Sequence, residues 1–464
     1  MAYASINPYN EKLLKTFPET SDLEIESLLQ KGHQAFCAWR QSTFSKRTEI
    51  LHKTASLLRE NKKKYATLMA QEMGKRLCEG EGEIGVCADI CDYFADHLAS
   101  VLKPKKITPL IPEEGKATLY PTPQGIILLI EPWNFPFYQV FRVLVPQIAA
   151  GNGVLLKHAP NVPQCAAIMV DLFQKAGLPE GVFQNLYTAN HQTETLLKDR
   201  RIQGVSLTGS TGAGRIVASL AAKHLKKSIL ELGGSDAFIV LEDANLQKAA
   251  KWAVLARHSN AGQICIAAKR LIVMEEVYDE FLGLYRKEVS KLRAGNPLDP
   301  ETTLAPLASK EALHRLQKQV ECAQEEGVTV ESFNLKIPSQ GFFFSPLLMT
   351  GLEGKNIRHE EFFGPVTHLY CVHSHEEAIQ CANDSEFGLT GSIYTQNEAK
   401  GFEIAQQIQS GAFFINHPPF SRPNIPFGGS KNSGYGRVLG PDALLEFMNL
   451  RIINFMDINA PPMM

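Results

Sequence analysis

Apolar residues recur at helical spacing from Asp22 to about Leu102. Leu23, Ile25, Leu28 and Leu29 form one stripe, and Ile50, Leu51, Ala55, Leu57 and Leu58 another. Within this stretch Glu60-Asn61-Lys62-Lys63-Lys64 fits a solvated helix face. From about Lys106 the texture changes. Ala117-Thr118-Leu119-Tyr120 alternates before Pro121 and Pro123, and residues 125–130 read as a buried strand. A loop rich in proline and aromatic residues, 131–137, leads to a helical stretch at 140–150. Further strands follow at 154–156, ending at Lys157, at 204–209 and at 228–234. Strands separated by helical stretches predict βαβ units and a parallel sheet. The second half repeats the texture at 237–240, 270–273 and 412–415, so a second α/β domain begins near Gly234. Residues 451–456 read as a late strand with no obvious local partner, which points to pairing with another chain.

With 464 residues the chain is long enough for two or three packed domains. Apolar residues at 44 % and charged residues at 21 % exclude a mainly disordered or collagen-like chain. A formal net charge of −2 argues against a globally basic nucleic-acid binder. The longest aliphatic run, Ile126-Ile127-Leu128-Leu129-Ile130, falls far short of the about 20 residues a membrane-spanning helix needs. The first residues lack the basic start and apolar stretch of a secretory signal. Nine dispersed cysteines without a CxxC pair disfavour a disulfide scaffold or a zinc site. A reducing cytoplasm, with no metal, is the simplest reading.

Open parallel sheets bind ligands beyond the carboxyl ends of their strands, and several chemical candidates fall there. Thr208-Gly209-Ser210-Thr211-Gly212-Ala213-Gly214 lies between a strand and a helix over 215–223. Its glycines and the helix start suit a phosphate, but the spacing is not GxGxxG and a plain tight turn is the alternative. Cys265 follows small and polar residues, Asn260-Ala261-Gly262-Gln263, as an exposed nucleophile would. A thiol of pKa about 8.5 needs dipoles or a base to ionise, and a buried structural cysteine is the other reading. Glu231 stands in an otherwise apolar strand before Leu232-Gly233-Gly234. It is either a desolvated general base or a structural ion-pair partner. Asn134 has an amide to offer an oxyanion, or to close its own turn. Lys157 alone is an ordinary strand-terminal lysine.

In combination these segments resemble the aldehyde dehydrogenase superfamily over essentially the whole chain. The motifs run in order from Asn7-Pro8 through Glu131-Pro132-Trp133-Asn134-Phe135-Pro136, Lys157 and the turn at 208–214 to Glu231-Leu232-Gly233-Gly234 and Gly262-Gln263-Ile264-Cys265. They close with Glu360-Glu361-Phe362-Phe363-Gly364-Pro365-Val366, Pro426-Phe427-Gly428-Gly429 and Ser433-Gly434-Tyr435-Gly436-Arg437. The resemblance implies an α/β fold with a Rossmann-like cofactor domain (1–107 and 125–233) and a catalytic α/β domain (234–437). It adds a small β oligomerisation element (108–124 and 438–457), in a homodimer or homotetramer. It implies that Cys265 attacks an aldehyde, that the Asn134 side chain and the Cys265 N–H hold the oxyanion, and that Glu231 activates the water that releases the acid. It implies NAD or NADP as cofactor. Lys157 and Glu361 would hold the adenosine and nicotinamide riboses. Trp133 and Ser210 would approach the pyrophosphate, in the turn that includes Gly209 and Gly214, and Thr208 and Phe363 would border the nicotinamide. Pro160 stands where NAD-preferring relatives often carry glutamate, so nothing there repels a 2′-phosphate and no serine favours it.

Within the superfamily the chain is most similar to the succinate-semialdehyde dehydrogenases, on 156–163, 231–236 and Asn383-Asp384-Ser385-Glu386-Phe387-Gly388-Leu389. Arg142 and Ser421 match that group's substrate-binding arginine and serine, which would fix the far carboxylate. Its second arginine is replaced by Ser259, with Arg257 and Arg422 as candidate substitutes. The alternatives are an aldehyde dehydrogenase for another carboxylate-bearing or small aliphatic aldehyde, and a non-redox cysteine hydrolase or acyltransferase with His258 as base.

Overall fold

The computed structural model describes residues 3–111 and 114–460. The N-terminal helical stretch is four helices, Asp22–Trp39, Phe44–Glu60, Lys62–Met73 and Leu77–Leu102. Ser21 and Thr43 start the first two, their side-chain oxygens accepting the N–H groups of Glu24 and Lys46. The charged run at 60–64 is not one helix face. Asn61 leaves helical geometry (φ −103°, ψ 15°), and its side chain donates to the Leu57 carbonyl at 2.9 Å, so the chain turns there from one helix into the next.

Five parallel strands form the first sheet in the order Lys227–Glu231, Ile202–Thr208, Ile126–Glu131, Gly153–His158 and Phe183–Leu186. Their aliphatic runs are buried on both faces, as a helix-covered parallel sheet requires. Ile127, Leu129 and Ile229 face the layer that holds the helices Leu77–Leu102 and Tyr138–Ala150, while Leu128, Val205, Leu207 and Leu230 face the other side. A sixth strand, Gly434–Tyr435, pairs antiparallel with Leu230 and Glu231. It comes from the stretch expected to be wholly catalytic (234–437), yet it completes the first sheet.

The second sheet has seven strands in the order Thr329–Ser332, Leu347–Thr350, Val366–Val372, Ala268–Met274, Asp236–Val240, Gly391–Tyr394 and Phe414–Ile415, all parallel but the first. Only Leu232-Gly233-Gly234-Ser235 separate the strand ending at Glu231 from the one starting at Asp236. The carboxyl ends of the first sheet therefore abut the amino ends of the second.

The late strand has a partner in its own chain. Met448–Phe455 pairs antiparallel with Lys116–Pro123 through eight residue pairs, and that strand pairs in turn with Lys105–Lys106. Distance along the chain hid the pairing, and Lys105–Lys106 leaves the stretch expected for the cofactor domain. A hairpin of Tyr3–Ile6 with Leu13–Phe17 has no counterpart in the apolar pattern, its second strand being largely exposed. Among the described residues no helix is long and apolar enough to cross a membrane, and no group of three or more His, Cys, Asp or Glu is placed to hold a metal.

Gly434 is left-handed (φ +110°), and a Cβ there would run into the Leu230 carbonyl. Gly434→Ala is expected to cost at least about 2 kcal/mol, seen in a thermal melt as a Tm lower by at least roughly 2 °C. An unchanged Tm would show that this edge strand does not need glycine.

Candidate active site

The helix Leu246–His258 ends in a short turn, Ser259–Gly262, from which the chain passes through Cys265 into the strand Ala268–Met274. Asn260, Ala261 and Gly262 take φ values of 48°, 53° and 77° in succession. Left-handed residues other than glycine persist only where the surroundings over-determine them, and here they do. Glu79 accepts the Asn260 N–H at 2.9 Å, and Asn260 Nδ2 donates to the Asn134 carbonyl at 3.0 Å. Asn134 Nδ2 donates to the Gln263 carbonyl at 3.0 Å. Lys269 Nζ donates to the carbonyls of Ile264 (2.8 Å) and Cys265 (2.7 Å) and forms an ion pair with Glu361 at 3.0 Å. The loop that bears Asn134 is tied to the same helix as Glu79. Glu83 accepts the N–H groups of Phe137 (2.8 Å) and Tyr138 (2.9 Å) and pairs with buried Lys75.

Cys265 is partly exposed and stands where two cavities meet. Burial pushes its thiol up to about 11, against the pull of Arg142 and Lys269. Among the described residues its amide N–H has no acceptor, and one hydrogen of the Asn134 amide is left free.

The first cavity, about 390 Å³, is lined by Trp133, Asn134, Thr208, Gly209, Ser210, Glu361 and Phe363. Ser210 caps the helix Thr211–Lys223, its Oγ accepting the Ala213 N–H at 3.3 Å. Trp133 and Phe363 meet edge to face at 5.8 Å, and Glu361 accepts the Gly234 N–H at 3.1 Å. Gly214 differs from expectation. It faces inward, where a Cβ would strike the Leu232 side chain, so it lets helix and strand pack closely and does not line the cavity. Lys157, next to last in the strand Gly153–His158, lies outside this lining. Burial lowers its ammonium pKa, and no carboxylate pairs with it among the described residues. Free N–H groups at a helix start, an aromatic wall and an unpaired cation fit a dinucleotide.

The second cavity, about 320 Å³, approaches Cys265 past Tyr138, Arg142, Ser421, Arg422 and Phe427. The Tyr138 hydroxyl donates to Ser421 Oγ at 2.8 Å. Arg142 is buried, lies over the rings of Tyr138 and Phe427, and donates through Nη2 to Thr208 Oγ1 at 2.9 Å. Of the two candidate second arginines, Arg422 lines this cavity. Arg257 does not, because its guanidinium is committed to the carbonyls of Val366, Phe362 and Gly364. His258 lies in the second sheet's core, 3.1 Å from the Tyr285 hydroxyl, with its pKa lowered to about 3 by burial and Arg257. It is no base for the thiol.

Glu231 is buried with neither carboxylate oxygen hydrogen-bonded among the described residues, and Arg142 Nη1 is 3.9 Å away. Burial pushes it up to about 8, against Arg142 and Arg437. Sequence reasoning missed Tyr138, Lys269, Glu79 and Glu83, and also Gln139, which lines both cavities. Their signal is three-dimensional, since each reads locally as an ordinary helix or strand residue.

The aldehyde dehydrogenase family model matches residues 1–453. The succinate-semialdehyde dehydrogenase (NADP+) of Deinococcus radiodurans is 41 % identical over 452 residues, covering 97 % of this chain and 94 % of that protein. An aldehyde dehydrogenase of Paenarthrobacter nicotinovorans is 40 % identical over 457 residues, covering 98 % and 99 %. The crystal structure of succinic semialdehyde dehydrogenase from Streptococcus pyogenes in complex with NADP+ superposes with a TM-score of 0.95 at 39 % identity, covering 98 % of this chain and all of that one. Two cavities meeting at a cysteine, in a chain matched from end to end by these proteins, leave one assignment: this chain belongs to the aldehyde dehydrogenase family.

The raised thiol pKa has a direct readout. Alkylation of Cys265 by iodoacetamide, followed by mass spectrometry, should keep accelerating beyond about pH 10, where an ordinary thiol of pKa about 8.5 has levelled off. A plateau near about pH 9 would contradict the desolvated setting.

Proposed function

We propose that the chain oxidises succinate semialdehyde to succinate with NADP as oxidant, through a thioester on Cys265. The observation that carries this reading is the meeting of two chemically different cavities at one thiol. One offers a helix start and an aromatic wall, and the other offers cations and hydroxyls beside apolar rings.

In this mechanism the Cys265 thiol releases its proton to solvent and the sulfur attacks the aldehyde carbon. A C–S bond forms, and the carbonyl pair moves to oxygen, held by the Asn134 amide and the Cys265 N–H. Oxidation of that adduct to the thioester is the two-electron chemistry a bound nicotinamide supplies. Trp133, Thr208, Gly209, Ser210, Glu361 and Phe363 would hold the dinucleotide, and Lys157 would serve its adenosine ribose. Glu231 takes a proton from the water that attacks the thioester, the C–S bond breaks, and the acid leaves with the thiol restored. A carboxylate near pKa 8 is matched to that task at neutral pH. Arg142 and Arg422, with the Tyr138–Ser421 hydroxyl pair, receive the distal carboxylate.

NADP is favoured by the unpaired Lys157 and by the lack of a carboxylate at Pro160; the Deinococcus radiodurans relative carries NADP(+) in its name, and the Streptococcus pyogenes structure is a complex with NADP+. The division into 1–107 with 125–233, 234–437, and 108–124 with 438–457 is kept, apart from the strand exchanges described. The last pieces, with Lys105–Lys106, form a three-stranded sheet exposing Leu450 and Ile452 on one face, a surface that a second copy would bury in a homodimer or homotetramer. Nine free thiols suit a reducing cytoplasm.

The test compares kcat/KM for succinate semialdehyde and butanal with each nicotinamide cofactor. The carboxylate should be worth about a hundredfold, as charge-assisted recognition in a partly desolvated site provides. Arg142→Met and Arg422→Met should each reduce that ratio, and equal values for the two aldehydes in the unmodified enzyme would overturn the substrate assignment. Removing one oxyanion donor costs about 2.7–4 kcal/mol. Asn134→Ala should therefore lower kcat a hundredfold or more while dinucleotide affinity, measured by fluorescence quenching, stays put.

A further inference from the structure

Glu131 is a buried carboxylate the mechanism leaves idle, its oxygens without a hydrogen bond of good geometry among the described residues and the Thr208 hydroxyl its side-chain neighbour. Its position follows from strand register. Thr208 pairs with Glu231, and Ile130 pairs with Leu207, which sets Glu131 beside Thr208 on the other flank. Glu131, Thr208 and Glu231 thus form one row across the carboxyl end of the first sheet. Their side chains share the face of Ile127, Leu129 and Ile229, toward the helix that carries Arg142. Strands lie about 4.8 Å apart, so the two glutamates are separated by roughly 10 Å at Cα with the Arg142 guanidinium descending between them. Arg142 donates to the central Thr208 and lies 3.9 Å from Glu231, while its Nε and Nη1 have no hydrogen-bond partner among the described residues.

We propose that Glu131 is a positioning residue for the general base: it shares one proton and one negative charge with Glu231 across Arg142. This rests on Glu231 being the base. A guanidinium keeps its charge. With both glutamates ionised the cluster would carry −1, with both protonated +1, and only the singly protonated pair is neutral, the least costly state away from water. The Thr208 hydroxyl accepts from Arg142 and has a single proton to offer, so it serves one carboxylate at a time. The other charged or titratable groups facing the cluster are Tyr138 and Cys265 toward Arg142, and Arg437 toward Glu231. His158, on the neighbouring strand, is neutral, its Nε2 donating to the Pro136 carbonyl and its Nδ1 accepting the Ala159 N–H. Burial raises both carboxyls, and the Glu231 charge raises Glu131 further.

The test is the pH profile of thioester hydrolysis, taken from burst and steady-state phases, for the unmodified enzyme, Glu131→Gln, Glu131→Met and Glu231→Gln. Without Glu131, Arg142 no longer divides its field between two glutamates. The acidic limb should then move down by about one pH unit, the size expected for two charges roughly 10 Å apart at an effective dielectric of about 20. The plateau rate should fall only a few-fold because the base is weaker. Dinucleotide affinity should not change. Limbs of both variants that coincide with the unmodified enzyme's would overturn the proposal while Glu231→Gln still slows hydrolysis. If Glu231→Gln leaves hydrolysis untouched, the base assignment itself fails. Should the Glu131 variants not fold, infrared spectra of the unmodified enzyme grown with 13C-carboxyl glutamate decide. One protonated glutamic acid persisting at neutral pH supports the pairing, and none excludes it.

Discussion

The thiol is delivered by a stretch of backbone that would not hold its shape alone. Three successive left-handed residues turn the carbonyls around Cys265 into the protein, and those carbonyls are stable because Asn134, Asn260 and Lys269 donate to them. A buried acceptor stripped of its donor costs about 1–3 kcal/mol, so the turn and its donors stand or fall together. The anchors are remote in sequence. Glu79 and Glu83, one turn apart on a single helix, fix the Asn260 turn and the Phe137–Tyr138 backbone respectively. The relative placement of the Cys265 thiol and the Asn134 amide is thereby set by one helix and not by two independent loops.

Desolvation sets the electrostatics of the site. It raises the thiol to about 11 and Glu231 to about 8, and the two arginines nearest Glu231 only partly oppose it. At neutral pH the unliganded thiol therefore holds its proton, and the sulfur is a poor target for adventitious electrophiles. Stability carries the same signature with the opposite sign from a surface carboxylate. A buried carboxyl whose pKa is raised by folding adds stability below its unfolded value near 4.5, and that contribution is lost as pH climbs through about 8.

Much of this was legible in the chain, for physical reasons. Parallel strands buried on both faces need continuous aliphatic runs, and Ile126 to Ile130 and Val154 to Leu156 announce themselves in that way. The turn after Thr208 and the segment before Cys265 show in small residues. What escaped depends on partners far apart along the chain. The strand Met448–Phe455 looked unpartnered because Lys116–Pro123 lies hundreds of residues away. Asn61 broke a helix that periodicity ran through. Gly214 read as part of a phosphate turn, and only the close approach of Leu232 reveals its other use. Glu131 was a letter in a motif until strand register set it level with Glu231.

Apart from the sulfur, the two cavities share a single lining side chain among the described residues, Gln139. The entrance proposed for the aldehyde is assembled from one face of the helix Tyr138–Ala150 and the segment around Ser421, and the one proposed for the dinucleotide from strand ends and the helix start at Ser210. Drift at one entrance therefore leaves the other nearly untouched, and a lineage can trade aldehydes while keeping its oxidant. Gln139 is the exception, the hinge pin through which a remodelled doorway on one side would be felt on the other.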